Sequence, residues 1–154
     1  MAIAALITWL LTAVGGFYLL ATWIAKGGVR TPRTSHFPPP LIFGHFALAA
    51  AGLVLWIIYL ITDTTTLAWA AFAATIPVAL LGFIMLARWI PTYRARTTSA
   101  AGEASTAGGP GTASAAAQAP AERHFPIAVV TGHGLFAVAT VVLVLLTALG
   151  VGGS

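Results

Sequence analysis

His36, His45, His124 and His133 are all the histidines of this 154-residue chain. They fall into two copies of one pattern. His36-Phe37-Pro38 is followed by Gly44-His45, and His124-Phe125-Pro126 by Gly132-His133. An imidazole can exchange protons near neutral pH, donate or accept hydrogen bonds, or ligate a metal. Other groups that carry chemistry are scarce. The chain has no cysteine, which excludes disulfides, iron–sulfur clusters, thiolate zinc sites and covalently attached c-type haem. The three acids, Asp63, Glu103 and Glu122, all read as loop residues. No pair of carboxylates shares an apolar segment, and no Ser/His/Asp set has its acid at hand. Catalytic turnover by this chain alone is therefore not expected.

The elements that must position these imidazoles are set by composition. Apolar residues make up 59% of the chain and charged residues 6%, against about 25% charged in a typical soluble domain. Mean hydropathy is +0.96. A soluble chain this short cannot hide so much apolar surface, so the expected solvent is lipid. Four apolar stretches, 3–25, 40–61, 67–90 and 125–149, are each long enough to cross a hydrocarbon core of about 30 Å as a helix, and helices are the spanning form for runs of this length. Trp9, Trp23, Trp56, Trp69, Trp89 and Tyr93 lie mostly near the span ends, as interfacial aromatics do. The expected fold is an all-α membrane protein of four transmembrane helices.

The seven cations fix the expected orientation. Lys26, Arg30 and Arg33 fall between spans 1 and 2, and Arg88, Arg94, Arg96 and Arg123 between the end of span 3 and span 4. The connector between spans 2 and 3 carries only Asp63. The positive-inside rule then places both cationic loops in the cytoplasm and both termini outside, in a multi-pass protein of the cell membrane. The first charge, Lys26, follows the first apolar run instead of preceding it, so that run reads as a retained span and not as a signal peptide. The net charge of +4 is too small and too scattered to imply nucleic acid. Residues 97–121, rich in Ala, Gly, Ser, Thr and Pro, read as a flexible cytoplasmic linker. Its Gly108-Gly109-Pro110-Gly111 run lacks the Gly-Lys-Ser/Thr of a phosphate loop.

An internal repeat organises the whole. Gly16-Phe17-Tyr18-Leu19-Leu20-Ala21-Thr22-Trp23-Ile24 matches Gly82-Phe83-Ile84-Met85-Leu86-Ala87-Arg88-Trp89-Ile90, with six of nine positions identical and an offset of 66. The two histidine patterns, with Ala49 and Ala137, match at an offset of 88. The difference is close to the length of the linker, which reads as an insertion in the second copy. The chain is expected to be two helical hairpins in tandem, residues 3–61 and 67–149, related by a pseudo-two-fold axis along the membrane normal.

His45 and His133 are the only ionisable side chains well inside a span, and such residues are functional candidates by default. Each lies seven residues beyond a proline suited to a helix start, about 10 Å along its helix. Helices 2 and 4 are diagonal in an up–down bundle, so the two imidazoles are expected to face each other at one depth. A haem between them would take one nitrogen from each side. Ala49 and Ala137 lie one turn beyond the histidines on the same face, and Gly52 and Thr140 two turns beyond. Gly16 and Gly82 would let a flat macrocycle approach the flanking helices. In helix arrangement and matched histidines the chain resembles membrane-bound b-type cytochromes with two histidine axial ligands. The resemblance implies haem b on His45 and His133, one-electron transfer, and membrane redox subunits or quinone as partners. His36 and His45 are nine residues apart, which points them to opposite faces. His36 and His124 are thus expected at the cytoplasmic interface, bonding backbone, lipid phosphate or a haem propionate. Three other readings stand beside this one: a cofactor-free accessory or assembly subunit of a respiratory or photosynthetic complex, a metal or small-solute transporter, and a protein holding a magnesium tetrapyrrole through one histidine each.

Overall fold

A computed structural model describes residues 1–30, 35–103 and 119–151. Arg33, residues 104–118 of the expected linker and the glycine run within them lie outside the described residues. The fold is all-helical: α1 (Ala2–Ala25), α2 (Pro39–Thr62), α3 (Thr65–Glu103) and α4 (Ile127–Ala148), with a short 3-10 turn, Ala121–His124, leading into α4. All four helices are long and apolar enough to cross a membrane. Three of them keep the bounds expected from hydropathy to within two residues. The exception is α3, which runs through Pro77 and Pro91 and continues to Glu103. Each proline removes one helical donor without ending the helix. Beyond Ile90 the Arg and Ala residues are good helix formers, so helical propensity continues where hydropathy stops. The linker is correspondingly shorter at its start than the composition of 97–121 suggests.

Local chemistry sets the ends. Asp63 adopts a left-handed conformation (φ 52°) and its N–H bonds the Tyr59 carbonyl at 2.8 Å, which closes α2 and turns the chain into α3. Pro38 and Pro126 are the N-caps of α2 and α4. A residue there needs no helical donor, so proline marks both starts.

α1 packs along α4 and α2 along α3, with lighter contact between α3 and α4 and between α1 and α2. The diagonal pairs, α1 with α3 and α2 with α4, do not pack backbone to backbone. Two apolar clusters hold the bundle. One, at the end carrying Met1 and Asp63, contains Ala5, Trp9, Trp56, Ala68, Ala71, Val144 and Ala148. The other, at the end carrying the cationic loops, contains Trp23, Phe37, Ile42, Trp89, Ala121 and Phe125. Between them, residues 10–22 of α1, 43–51 of α2, 76–88 of α3 and 127–139 of α4 include no buried side chain. Among the described residues the fully buried side chains gather at the two ends of the bundle, and the middle is lined by half-buried and exposed ones.

Candidate functional site

His45 and His133 lie in that middle level. Each is half-buried, and their ring centres are 6.3 Å apart with the planes inclined at 57°. The two rings are held in the same way by different helices. His133 Nδ1 is 2.8 Å from the Thr12 carbonyl of α1, and His45 Nδ1 is 3.1 Å from the Val78 carbonyl of α3. A carbonyl can only accept, so each Nδ1 carries the proton and each Nε2 is a bare lone pair. Neither Nε2 has a hydrogen-bond partner among the described residues. Two bare acceptors cannot bond to each other. A lone pair of this kind can bind an acceptor of electron pairs or a hydrogen-bond donor.

The glycines explain how the rings reach backbone. A side chain four residues on from a helical carbonyl stands close beside it. That position is Gly16 for Thr12 and Gly82 for Val78. A Cβ on Gly16 would lie 3.1 Å from His133 Cε1, and one on Gly82 3.5 Å from His45 Cε1. Gly16 and Gly82 thus give their space first to the imidazoles, and the sequence had suggested only clearance for a macrocycle. Gly15 adds to the first seat, its absent Cβ lying 3.3 Å from His133 Cβ.

The level is bounded on both sides. Toward Met1, Trp9 rests on Gly52, where a Cβ would come within 3.1 Å of the indole, and Thr140 Oγ1 donates to Thr8 Oγ1 at 3.0 Å. Gly52 and Thr140 are thereby filled, which corrects the expectation of faces cleared for two turns beyond the histidines. Ala49 and Ala137 are half-buried, one turn beyond the histidines. Toward the cationic loops, Phe37 and Phe125 pack ring against ring at 6.1 Å. Along α1 the distance from Trp9 to Trp23 is fourteen residues, roughly 21 Å at the helical rise.

Compared with protein-family models, with curated proteins and with solved structures, the chain matches none. What it holds must be read from its own donor set. Among the described residues no three His, Asp or Glu side chains converge as a metal site would require. A bare ion asks for three or four protein donors. A metal already held in the plane of a macrocycle asks for two at most, one on each side. Two imidazoles bound to opposite faces of one metal through bonds of about 2 Å would bring their ring centres roughly 6 Å apart, the separation found here. The pair fits the second case and not the first.

The other two histidines are elsewhere. Both are exposed. His124 Nδ1 faces the Ala121 carbonyl of its own turn at 3.2 Å. His36 Nδ1 bonds a residue that sequence reasoning missed. Glu122 has no exposed surface at all, and its Oε1 lies 2.9 Å from His36 Nδ1. Glu122 lies two residues before the second His-Phe-Pro, the one acid so close to either copy. Its position beside the repeated motif was the available signal.

Proposed function

We propose that this chain is an integral membrane subunit that binds haem b between His45 and His133 and transfers single electrons. The carrying observation is the paired geometry: two imidazoles, each with Nδ1 spent on a neighbouring helix's carbonyl, presenting two bare Nε2 atoms with ring centres 6.3 Å apart. Ligating histidines donate their other N–H to a carbonyl or carboxylate in this way, which fixes the tautomer and raises basicity. Bound haem would supply a one-electron couple with no open coordination position.

The protein's part is to hold two rings and keep water out. Thr12 and Val78 orient the imidazoles. Gly15, Gly16 and Gly82 let them lie against backbone. Phe37 with Phe125 and Trp9 with Gly52 close the level at its two ends.

Several observations support a tandem duplication behind this symmetry. Thr12 and Val78 are 66 residues apart, the offset at which the helix sequences match, and His45 and His133 are 88 apart. At these same offsets Ala5 and Ala71, Trp9 and Thr75, Trp23 and Trp89, Phe37 and Phe125, Gly52 and Thr140, and Trp56 and Val144 are all buried. With the cationic loops in the cytoplasm, as their charge favours, both termini lie outside the cell membrane. Other membrane redox subunits or quinone are the partners that this function requires.

The test is a reduced-minus-oxidised absorption spectrum of the protein purified in detergent and supplemented with haem. The expected result is a six-coordinate low-spin b-type spectrum. A colourless protein would overturn the reading and favour an accessory subunit with water between the rings. A magnesium tetrapyrrole would show as an absorption that dithionite does not change.

A further inference from the structure

The backbones of α2 and α4, the two histidine-bearing helices, do not pack on each other, so contacts outside the helix backbones bear on the distance between their imidazoles. Glu122 links the two chain segments that enter them. It stands in the turn before α4, fully buried. Its Oε1 accepts the backbone N–H of His36 at 2.6 Å and faces His36 Nδ1 at 2.9 Å, and its Oε2 accepts Ser35 Oγ at 2.9 Å. Ser35 and His36 lie just before α2. Both flanking indoles join the same knot. Trp23 Nε1 donates to Ser35 Oγ at 3.0 Å, and Trp89 Nε1 to the Glu122 carbonyl at 3.2 Å. Arg88 holds the far side of the segment through the His36 carbonyl at 2.9 Å.

We infer that Glu122 is a positioning residue: by bonding Ser35 and His36 it fixes the start of α2 against the start of α4 and so sets the His45–His133 separation that a metal between them needs. A carboxylate suits the task because its two oxygens accept several donors at once, and charged hydrogen bonds are the strong ones. A buried carboxylate is costly unless fully bonded, so the knot forms as a unit or not at all. Both imidazoles lie seven residues beyond the proline that starts their helix, and a helix transmits a displacement at its first turn to that level with little loss. The consequence for haem rests on the function proposed above. The tie itself does not.

The experiment therefore has two arms. The chain has no cysteine, so a Leu48→Cys/Leu135→Cys pair, exposed on α2 and α4, can be spin-labelled cleanly in the full-length protein without haem. The unmodified tie should give one narrow distance distribution, which Glu122→Ala should broaden and Glu122→Asp partly restore. In the haem-supplemented protein, Glu122→Ala should lose most of the low-spin signal to a high-spin form. Trp56→Ala, at the opposite end, serves as a control for general destabilisation and should change neither readout. If Glu122→Ala does not fold, Ser35→Ala removes one bond of the knot and should broaden the same distribution to a smaller degree. An unchanged distribution in the Glu122 or Ser35 variant overturns the inference. So does broadening of equal size in Trp56→Ala. A protein that takes up no haem leaves the distance arm to decide and counts only against the haem reading.

Discussion

The end of the bundle around Trp9 and Trp56 and the level of the two histidines use the same four helices to opposite ends. At the first, large residues meet small ones. Trp56 is fully buried with Ala5, Ala71 and Val144, and Trp9 fits against a glycine. The residues at the repeat offsets from the two tryptophans are Thr75 and Val144, so the sequence match does not extend to the large side chains of this end. At the second, one imidazole comes from each half and each makes the same bond to backbone. An apolar end is stabilised by any complementary packing, so it needs no matched residues. A pair of imidazoles proposed to hold one group would need matched depth and orientation. Stability is concentrated at the packed end, where the large buried side chains lie.

The sharpest break between the two regions comes from removing a histidine. His45→Ala and His133→Ala should each abolish the haem spectrum. The apoprotein should lose little stability, on the order of 1 kcal/mol, because each half-buried ring contributes one hydrogen bond. Spectra and detergent unfolding of the same samples check both halves. His36→Ala should only weaken the spectrum. Trp56→Ala reverses the pattern. Truncating a fully buried indole costs about 3–5 kcal/mol, so unfolding should shift strongly. Haem bound per folded molecule should be unchanged. A Trp56 variant that folds but binds no haem would mean that the two regions are not separable.

The four helices and the facing pair of imidazoles could be read from the sequence because each rests on a local pattern. Hydropathy marks each span, proline marks each start, and a fixed count of residues sets each depth. Glu122 could not be read in the same way. Its burial depends on Ser35 and His36, more than eighty residues away, folding over it. From sequence it is one polar residue at the end of a loop. The glycines were visible as gaps but not by occupant, since hydropathy does not show which neighbour fills a space. The extension of α3 was hidden for another reason: hydropathy reports where lipid would end, and hydrogen bonding continues past it.

A smaller effect is expected at Gly52. A Cβ there would lie 3.1–3.2 Å from the Trp9 ring, which is itself buried and has little room to move. Gly52→Ala should therefore lower stability by about 1–3 kcal/mol through overpacking, despite alanine's better helix propensity. Unfolding in detergent measures it. A more stable variant would show that the Trp9 end is looser than its burial implies.

The smallest expected effect tests the symmetry of the middle. In an exposed helix, replacing glycine by alanine stabilises by roughly 0.5–1 kcal/mol. At Gly82 the new methyl would meet His45 Cε1 at 3.5 Å, an ordinary contact, so Gly82→Ala should retain that gain and leave the ligand geometry alone. At Gly16 it would meet His133 Cε1 at 3.1 Å, with Gly15 already close against the same side chain. That ring must shift by a few tenths of an ångström, which lengthens the 2.8 Å bond from Nδ1 to Thr12 and offsets the propensity gain. Gly16→Ala should thus be no more stable than the parent protein and should move the low-spin electron paramagnetic resonance of the bound haem, while Gly82→Ala should not. Identical behaviour of the two variants would show that the seats are equivalent, and that His133 is held no more tightly than His45.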